Sequence, residues 1–174
     1  DGIGLVAHLK NTAPDYPVDK PALILGAGGA ARAAALGLLT ENIPMVMISN
    51  RTRSKAEAIA NDIGRGRMTV VDWDARSDAV AAAGLVINTT VLGMDGQHPL
   101  ELDLSTAAKD TVVYDIVYKP LETELLASAR TLGLRTVDGL GMLVHQGAAA
   151  FKLWFGYDVG FDAELRAKLE AKLS

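Results

Sequence analysis

A glycine-rich turn between a short apolar run and a stretch of alanine and leucine is the feature that most constrains this fold. The apolar run Ala22–Leu25 leads directly into the turn. Strand, glycine turn and helix in this order are typical of dinucleotide-binding folds, in which one glycine permits the tight turn and another lets a pyrophosphate approach the backbone. The N–H groups at the start of the next helix then face the phosphates. The residues predicted to form this phosphate site are Gly26, Ala27, Gly28, Gly29 and Ala30.

A basic cluster follows the next apolar run and bears on which dinucleotide fits. Asn50 stands 24 residues after Gly26, near the place where a site for NAD carries an acidic residue that binds the ribose 2′-hydroxyl. This chain has Arg51 there, whose guanidinium can hold a 2′-phosphate that a carboxylate would repel. Lys55 is one helical turn further on. The cofactor is therefore predicted to be NADP(H), bound by Asn50, Arg51, Thr52 and Lys55. The alternative is a solvated basic turn beside an ordinary loop.

Short apolar runs alternate with stretches whose alanine and leucine spacing predicts helices. Such runs suit parallel strands that are buried on both faces. The alternation predicts an α/β fold, a doubly wound parallel sheet (Rossmann-like) of about six strands in the order 3-2-1-4-5-6. The predicted strands are Ala22–Leu25, Met45–Ser49, Met68–Val71, Leu85–Asn88, Thr111–Ile116 and Arg135–Val137. The predicted helices are Ile3–Leu9, Ala30–Leu39, Ser54–Ile63, Asp74–Ala83, Glu122–Leu132 and an amphipathic helix at about Phe161–Leu173.

Length and composition restrict the function further. At 174 residues the chain suits one α/β domain, here divided into an opening helix and linker (1–20), a dinucleotide-binding domain (21–156) and a closing helix (157–174). A net charge of −4 argues against a nucleic-acid surface. No apolar run approaches the ~20 residues of a membrane helix. The lack of cysteine fits a cytoplasmic protein. The spacing of His8, His98 and His145 predicts no metal site, so the histidines are interpreted as structural or solvated.

Several separated blocks of the chain resemble the shikimate dehydrogenase family. Besides the glycine turn and Asn50-Arg51-Thr52, they are Asn88–Met94, Asp115–Pro120 and Asp138–Gln146. The resemblance implies reversible reduction of 3-dehydroshikimate to shikimate, with NADP(H) carrying the hydride. Dehydrogenases of the same family that act on quinate or an aminated analogue are alternatives. A non-catalytic nucleotide-binding module is an alternative of another class.

The opening residues Asp1-Gly2-Ile3-Gly4 resemble the end of that family's Asn-Thr-Asp-Gly-x-Gly motif. The resemblance therefore implies that Asp1 is a catalytic residue and that the family's N-terminal substrate domain, with its catalytic lysine, precedes it. No lysine of this sequence stands in a matching motif. We accordingly expect the chain alone to be inactive. Its expected partners are the missing domain and a small-molecule substrate, and a homodimer is one assembly to consider.

Polar and aromatic residues follow two of the predicted strands, at the edge where open α/β sheets bind ligands. Asn88 and Thr89 end the fourth strand and are candidates for contact with the nicotinamide ribose. The alternative is a polar turn at the strand end. Ile116 and Tyr118 come after the fifth strand. The resemblance implies that Ile116 flanks the nicotinamide and that Tyr118 binds the substrate carboxylate, the alternative being a tyrosine at the edge of the core.

A last candidate group lies near the end of the chain. Met142 and Gln146 are four residues apart, so a helix places them on one face. Gly139 opens that helix, and its missing Cβ would let a nicotinamide approach. The resemblance implies that Met142 packs beside the nicotinamide and that Gln146 binds a substrate hydroxyl. The alternative is a core methionine next to a surface amide.

Overall fold

The computed structural model describes residues 2–157 and 162–173, and six parallel strands form its centre. The strands are β1 (Ala22–Leu25), β2 (Val46–Ser49), β3 (Met68–Val71), β4 (Leu85–Asn88), β5 (Val112–Asp115) and β6 (Arg135–Val137). Their order in the sheet is β3-β2-β1-β4-β5-β6. This order confirms the predicted doubly wound topology. The strand bounds agree with the prediction to within one residue at each end.

Most of the connections between strands are helices. The helices are α1 (Gly2–Thr12), α2 (Gly29–Thr40), α3 (Arg53–Ile63), α4 (Glu124–Thr131), α5 (Gly139–Phe155) and α6 (Ala163–Leu173). Among the described residues, no helix has both the length and the apolar composition that a membrane crossing requires.

The register of the strands lines up their last residues along one edge of the sheet. Leu25 of β1 lies opposite Ser49 of β2 on one side and Asn88 of β4 on the other. Asp115 of β5 in turn lies opposite Asn88. The loops that follow these four residues are therefore neighbours, and this strand-end edge is where ligands of open α/β sheets bind.

Successive strand residues alternate between two apolar cores, one on each face of the sheet. Ile24 and Ile87 belong to the first core, beneath α1, α2 and α5. Leu23 and Val86, their neighbours along the strands, belong to the second core, where Leu126 of α4 is also buried. Because both faces are covered, the strands are apolar throughout and do not alternate with polar residues.

The segment predicted as an opening helix and linker packs into the first core. Leu5 and Leu9 of α1 are fully buried, and α1 contacts both α2 and α5. Ala13 and Tyr16, in the predicted linker, are buried as well. In the described part of the chain, this segment and the sheet form one structural unit.

The crossover between β3 and β4 differs from the prediction. It consists of two short 3₁₀ helices, Trp73–Ala75 and Asp78–Ala82, so the prediction of one α-helix over Asp74–Ala83 is wrong. Arg76, between the two, donates from its guanidinium to the backbone carbonyl of Glu101 in a neighbouring loop. Tertiary contacts of this kind override a weak local helix propensity.

The closing helix α6 lies on the surface. None of its described residues is buried, which differs from the predicted amphipathic helix. Phe161, where that helix was predicted to begin, lies outside the described residues. Arg166 of α6 pairs with Asp138, with 2.6 Å between the guanidinium and carboxylate atoms. This ion pair connects α6 to the start of α5.

Candidate functional site

The turn after β1 requires glycine at its first position. Gly26 has φ +111°, a backbone conformation that side chains with a Cβ rarely adopt. Its N–H donates to the carbonyl of Ser49 at 2.8 Å. A Cβ built on Gly26 would lie 2.6 Å from the Thr89 hydroxyl oxygen. The predicted role of Gly26 in a tight turn therefore has a clear steric reason.

The second part of the turn is open. Gly28 is the N-cap of α2, and no side chain caps the first turn. A Cβ at Gly28 or Gly29 would have no neighbour within 4 Å. The first N–H groups of any α-helix lack acceptors within the helix, and the first turn of α2 has no acidic residue to repel an anion. The arrangement therefore suits a phosphate group beside Gly28. Ala27, just before it, packs against the first core.

The basic cluster after β2 contains both paired and unpaired cations. Asn50 donates from its side-chain amide to the carbonyl of Thr52 at 2.9 Å, which shapes the loop. Arg53 is engaged by two carboxylates, those of Glu57 at 2.8 Å and of Asp72.

Arg51 and Lys55, in contrast, are exposed, and neither forms an ion pair with another residue in the described ranges. Two cations thus remain available beside the phosphate turn. The predicted helical spacing of this pair needs correction, because α3 begins only at Arg53 and Arg51 precedes its N-cap, Thr52.

The polar residues at the end of β4 are used within the protein. The Asn88 amide donates to the carbonyl of Leu92 at 3.0 Å and to the Asp115 carboxylate at 2.9 Å. Its oxygen accepts from the N–H of Thr90 at 3.0 Å and from the Thr90 hydroxyl at 2.7 Å. The Thr89 hydroxyl donates to the carbonyl of Leu25 at 2.7 Å. Direct contact of Asn88 and Thr89 with a cofactor stays a prediction, and the geometry gives both side chains the task of shaping the loop.

A buried carboxylate at the end of β5 was not among the predicted site residues. Asp115 is fully buried and accepts three hydrogen bonds, from the Thr123 hydroxyl at 2.7 Å, the Val117 N–H at 3.0 Å and the Asn88 amide. Burial raises the pKa of Asp115 to about 6, and the three hydrogen bonds oppose that rise. An acid at the end of an apolar strand was a signal that could have identified it from the sequence.

A cleft of about 390 Å³ opens between the loops that follow β4 and β5. Ile116 and Tyr118 line it from one loop, and Thr90 and Val91 from the other. Tyr118 is 41% exposed. A larger cavity of about 590 Å³ is lined by α1, α2 and the residue after α2, and contains none of the predicted site residues. The cleft at the strand-end edge is therefore the candidate site for the nicotinamide and the substrate.

The start of α5 gives a packing reason for Gly139 that the sequence did not reveal. A Cβ on Gly139 would overlap the backbone carbonyl of Ile116, so the glycine is needed because the two chain segments approach closely. The predicted approach of a nicotinamide at this position stays a prediction. Met142 is only 6% exposed and belongs to the first core. Gln146 is half-buried and lies over Gly4 of α1.

The surroundings of His8 and His98 differ. His8 is buried, with its ring 5.9 Å from that of Tyr114, and burial lowers its pKa. His98 is exposed in a loop. Across residues 2–157 and 162–173, no group of three or more His, Cys, Asp or Glu side chains is arranged to hold a metal ion. Asp1, the predicted catalytic residue, lies outside the described residues.

Comparison with known proteins gives two family matches. Residues 10–98 match the family Shikimate / quinate 5-dehydrogenase, and residues 139–163 match the Shikimate 5'-dehydrogenase C-terminal domain. Over 98% of its residues, this chain is 48% identical to "Shikimate dehydrogenase (NADP(+))" of Rhodopseudomonas palustris. It spans 61% of the length of that relative.

Solved structures share the fold. A shikimate 5-dehydrogenase from Thermus thermophilus, in complex with NADP(H) and shikimate, is similar with a TM-score of 0.82 and 32% identity over 99% of this chain and 62% of that one. A quinate dehydrogenase from Corynebacterium glutamicum in complex with NAD is similar with a TM-score of 0.83 and 35% identity over 90% of this chain and 57% of that one. Sequence and fold agree, and the chain belongs to the shikimate/quinate 5-dehydrogenase family.

Proposed function

We propose that this chain is the NADP(H)-binding part of a shikimate dehydrogenase, which reduces 3-dehydroshikimate reversibly to shikimate. The proposal is carried by one observation: beside an open phosphate turn stand two basic side chains, Arg51 and Lys55, without an ion-pair partner among the described residues. The name of the Rhodopseudomonas palustris relative, which includes NADP(+), supports the same cofactor.

The residues at the strand-end edge fit a dinucleotide that carries a 2′-phosphate. The first N–H groups of α2 bind the pyrophosphate beside Gly28, where no side chain occupies the space. Arg51 and Lys55 neutralise the 2′-phosphate, and Asn50 holds the loop that carries Arg51. When bound, the nicotinamide supplies the hydride for the substrate carbonyl carbon. The protein orients that ring at the cleft beside Ile116 and Tyr118.

The substrate-side roles are part of the same proposal. Tyr118 binds the substrate carboxylate and Gln146 a substrate hydroxyl, while Ile116 and Met142 lie along the nicotinamide. The exposure of Tyr118 at the cleft supports its role. Met142 is 6% exposed and packs in the first core, which holds in place the face of α5 that is proposed to lie along the nicotinamide. Asp1 is proposed as the catalytic carboxylate from the family resemblance alone.

Quinate is the second candidate substrate, because a structural relative of the same fold is a quinate dehydrogenase in complex with NAD. The higher identity to a protein named for shikimate and NADP(+) favours shikimate, and the basic residue Arg51 favours NADP(H) over NAD. Optical assays of NADP⁺ and NAD⁺ reduction with shikimate or quinate distinguish the two, provided that the assayed protein joins this chain to a substrate domain of the family, because we expect the chain alone to be inactive. Faster turnover with quinate and NAD⁺ would contradict the proposal.

The cofactor is tested by titrating the wild type, Arg51→Ala and Arg53→Ala with NADPH and NADH. The wild type should bind NADPH more tightly. Arg51→Ala should lose about 1.5–3 kcal/mol of NADPH binding, because a charge-assisted hydrogen bond to the 2′-phosphate is removed. Its affinity for NADH should change little.

Arg53→Ala is the matched control. It removes a neighbouring cation that is already engaged by Glu57 and Asp72, so NADPH affinity should be nearly unchanged. Equal affinity of the wild type for NADPH and NADH would overturn the choice of cofactor. An equal loss in both variants would show that overall charge, rather than a specific contact, attracts the cofactor.

A further inference from the structure

Two loops of the chain form the walls of the cleft at the strand-end edge. Loop 89–95 follows β4, and loop 116–122 follows β5. Thr90 and Val91 line the cleft from the first loop, and Ile116 and Tyr118 from the second. In doubly wound sheets a dinucleotide crosses the strand-end edge, with one mononucleotide half on each side. Under the proposed function, on which this inference rests, the nicotinamide half lies on the β4–β6 side, between these loops.

Both loops are tied to one buried carboxylate. One oxygen of Asp115 accepts from the Asn88 amide at 2.9 Å and from the N–H of Val117 at 3.0 Å. The other accepts from the Thr123 hydroxyl at 2.7 Å. Asn88 directly precedes the first loop, Val117 is the second residue of the second loop, and Thr123 directly follows the second loop. Asp115 thus connects the start of loop 89–95 with both the start and the end of loop 116–122.

The bonds continue from Asn88 into the first loop. The Asn88 oxygen accepts from the Thr90 N–H and hydroxyl, and its amide donates to the Leu92 carbonyl at 3.0 Å. The Leu92 N–H in turn donates to the Thr90 hydroxyl at 3.0 Å. Every polar atom of the Asn88 side chain is therefore used to hold loop 89–95.

Thr123 has a second bond that anchors the other end of the second loop. It is the N-cap of α4, and its hydroxyl oxygen accepts from the Leu126 N–H at 3.3 Å. Asn88, Asp115 and Thr123 are all buried, with at most 1% of each residue exposed. In such surroundings a lost hydrogen bond leaves a polar group unsatisfied, so the three side chains hold a narrow range of positions.

We propose that Asp115 and Thr123 are positioning residues, which act through Asn88 to set the placement of the two cleft loops. They therefore determine the affinity for the nicotinamide half of the cofactor, but not the affinity for its adenosine half. The adenosine half is held by other elements, namely the first turn of α2 and the loop with Arg51 before α3. A purely structural role would instead weaken both halves together.

The test compares two ligands. NADPH occupies both halves of the site, and adenosine 2′,5′-bisphosphate occupies the adenosine half alone. Thr123→Val removes the hydroxyl and keeps the branched shape, whereas Thr123→Ser keeps the hydroxyl and removes a methyl group. Ala127→Gly, at an exposed position of α4, destabilises the same helix without touching the network.

Thr123→Val should bind NADPH about tenfold more weakly, since the buried carboxylate loses one donor. Its affinity for adenosine 2′,5′-bisphosphate should stay within about twofold of the wild type. Thr123→Ser should restore NADPH binding. Ala127→Gly should lower the unfolding temperature and leave both affinities unchanged. Asp115→Asn alters the acceptor at the centre of the network and no side chain that lines the cleft, so it should act as Thr123→Val does and serves if that variant does not fold.

Equal weakening of both ligands by Thr123→Val, or unchanged NADPH affinity, would overturn the inference. Loss of NADPH affinity in Ala127→Gly would do the same, because it would trace the effect to helix stability. Failure of the wild type to bind either ligand would instead overturn the proposed function, and this inference with it.

Discussion

Gly28 and Gly139 both stand at the start of a helix, but the space around their missing side chains differs. A Cβ at Gly28 would meet nothing within 4 Å, and its φ of −94° suits any residue. Gly28→Val should therefore fold normally and abolish NADPH binding, because the valine side chain fills the space for the pyrophosphate. Circular dichroism reports the fold and a fluorescence titration reports the binding. Undiminished binding would mean that the phosphate site lies elsewhere.

Gly139→Ala is the converse case. Its Cβ would overlap the Ile116 carbonyl, so the free energy of unfolding should fall by about 1–3 kcal/mol. Urea titration measures this change. A stability equal to that of the wild type would show that the two segments can move apart at little cost.

Local motifs made part of the site predictable at the residue scale. The glycine turn and Arg51 depend on residues close together in the chain, so their order alone was enough to predict a cofactor site there. The real surroundings of Gly139 and Asn88 depend on segments distant in sequence: Ile116 for the first and Asp115 for the second. No local pattern contains that information, and Thr123 was missed for the same reason.

At the element scale, β5 ends in a group whose protonation is linked to folding. The pKa of Asp115 is raised from its ordinary value of 3.8 to about 6 by burial. The folded state therefore holds the proton more tightly than the unfolded state. The stability that this provides is fully present below about pH 4 and is lost as the pH rises through about 6.

Asp115→Asn removes this titration and makes the effect measurable. As the pH rises from about 4 to 7, the wild type should lose on the order of 2–3 kcal/mol of unfolding free energy relative to the variant. Urea unfolding at several pH values measures it, and the comparison cancels groups common to both proteins. A difference that does not vary with pH would show that Asp115 titrates normally.

The elements themselves were predicted with uneven success for a physical reason. The strands are short apolar runs buried on both faces, and this burial makes them visible in the sequence. The segment from Trp73 to Ala82 has alanine spacing typical of a helix, but Arg76 bonds to the carbonyl of Glu101 in another loop. Such tertiary bonds outweigh a weak local preference.

At the scale of the whole molecule, α1 belongs to the core of the domain. Leu5→Ala or Leu9→Ala should lower the free energy of unfolding by about 2–5 kcal/mol, because both side chains are fully buried. Leu153→Ala is the control, since Leu153 is 86% exposed and its loss should cost less than about 0.5 kcal/mol. Chemical denaturation compares the three variants. Small effects at Leu5 and Leu9 would mean that α1 is a dispensable attachment.

Because Arg53 is paired with carboxylates and Arg51 is not, within the residues that the structure describes, salt should affect the choice between NADPH and NADH. Arg53 is neutralised locally by its carboxylate partners, whereas Arg51 is exposed and meets the solvent ions directly. At about 0.15 M salt the Debye length is near 8 Å, so dissolved anions compete for Arg51 with the 2′-phosphate. Salt should weaken the binding of NADPH and NADH alike through their common pyrophosphate, and of NADPH additionally through this contact. Discrimination between the two cofactors should therefore be greatest in dilute buffer and narrow steadily as salt is added.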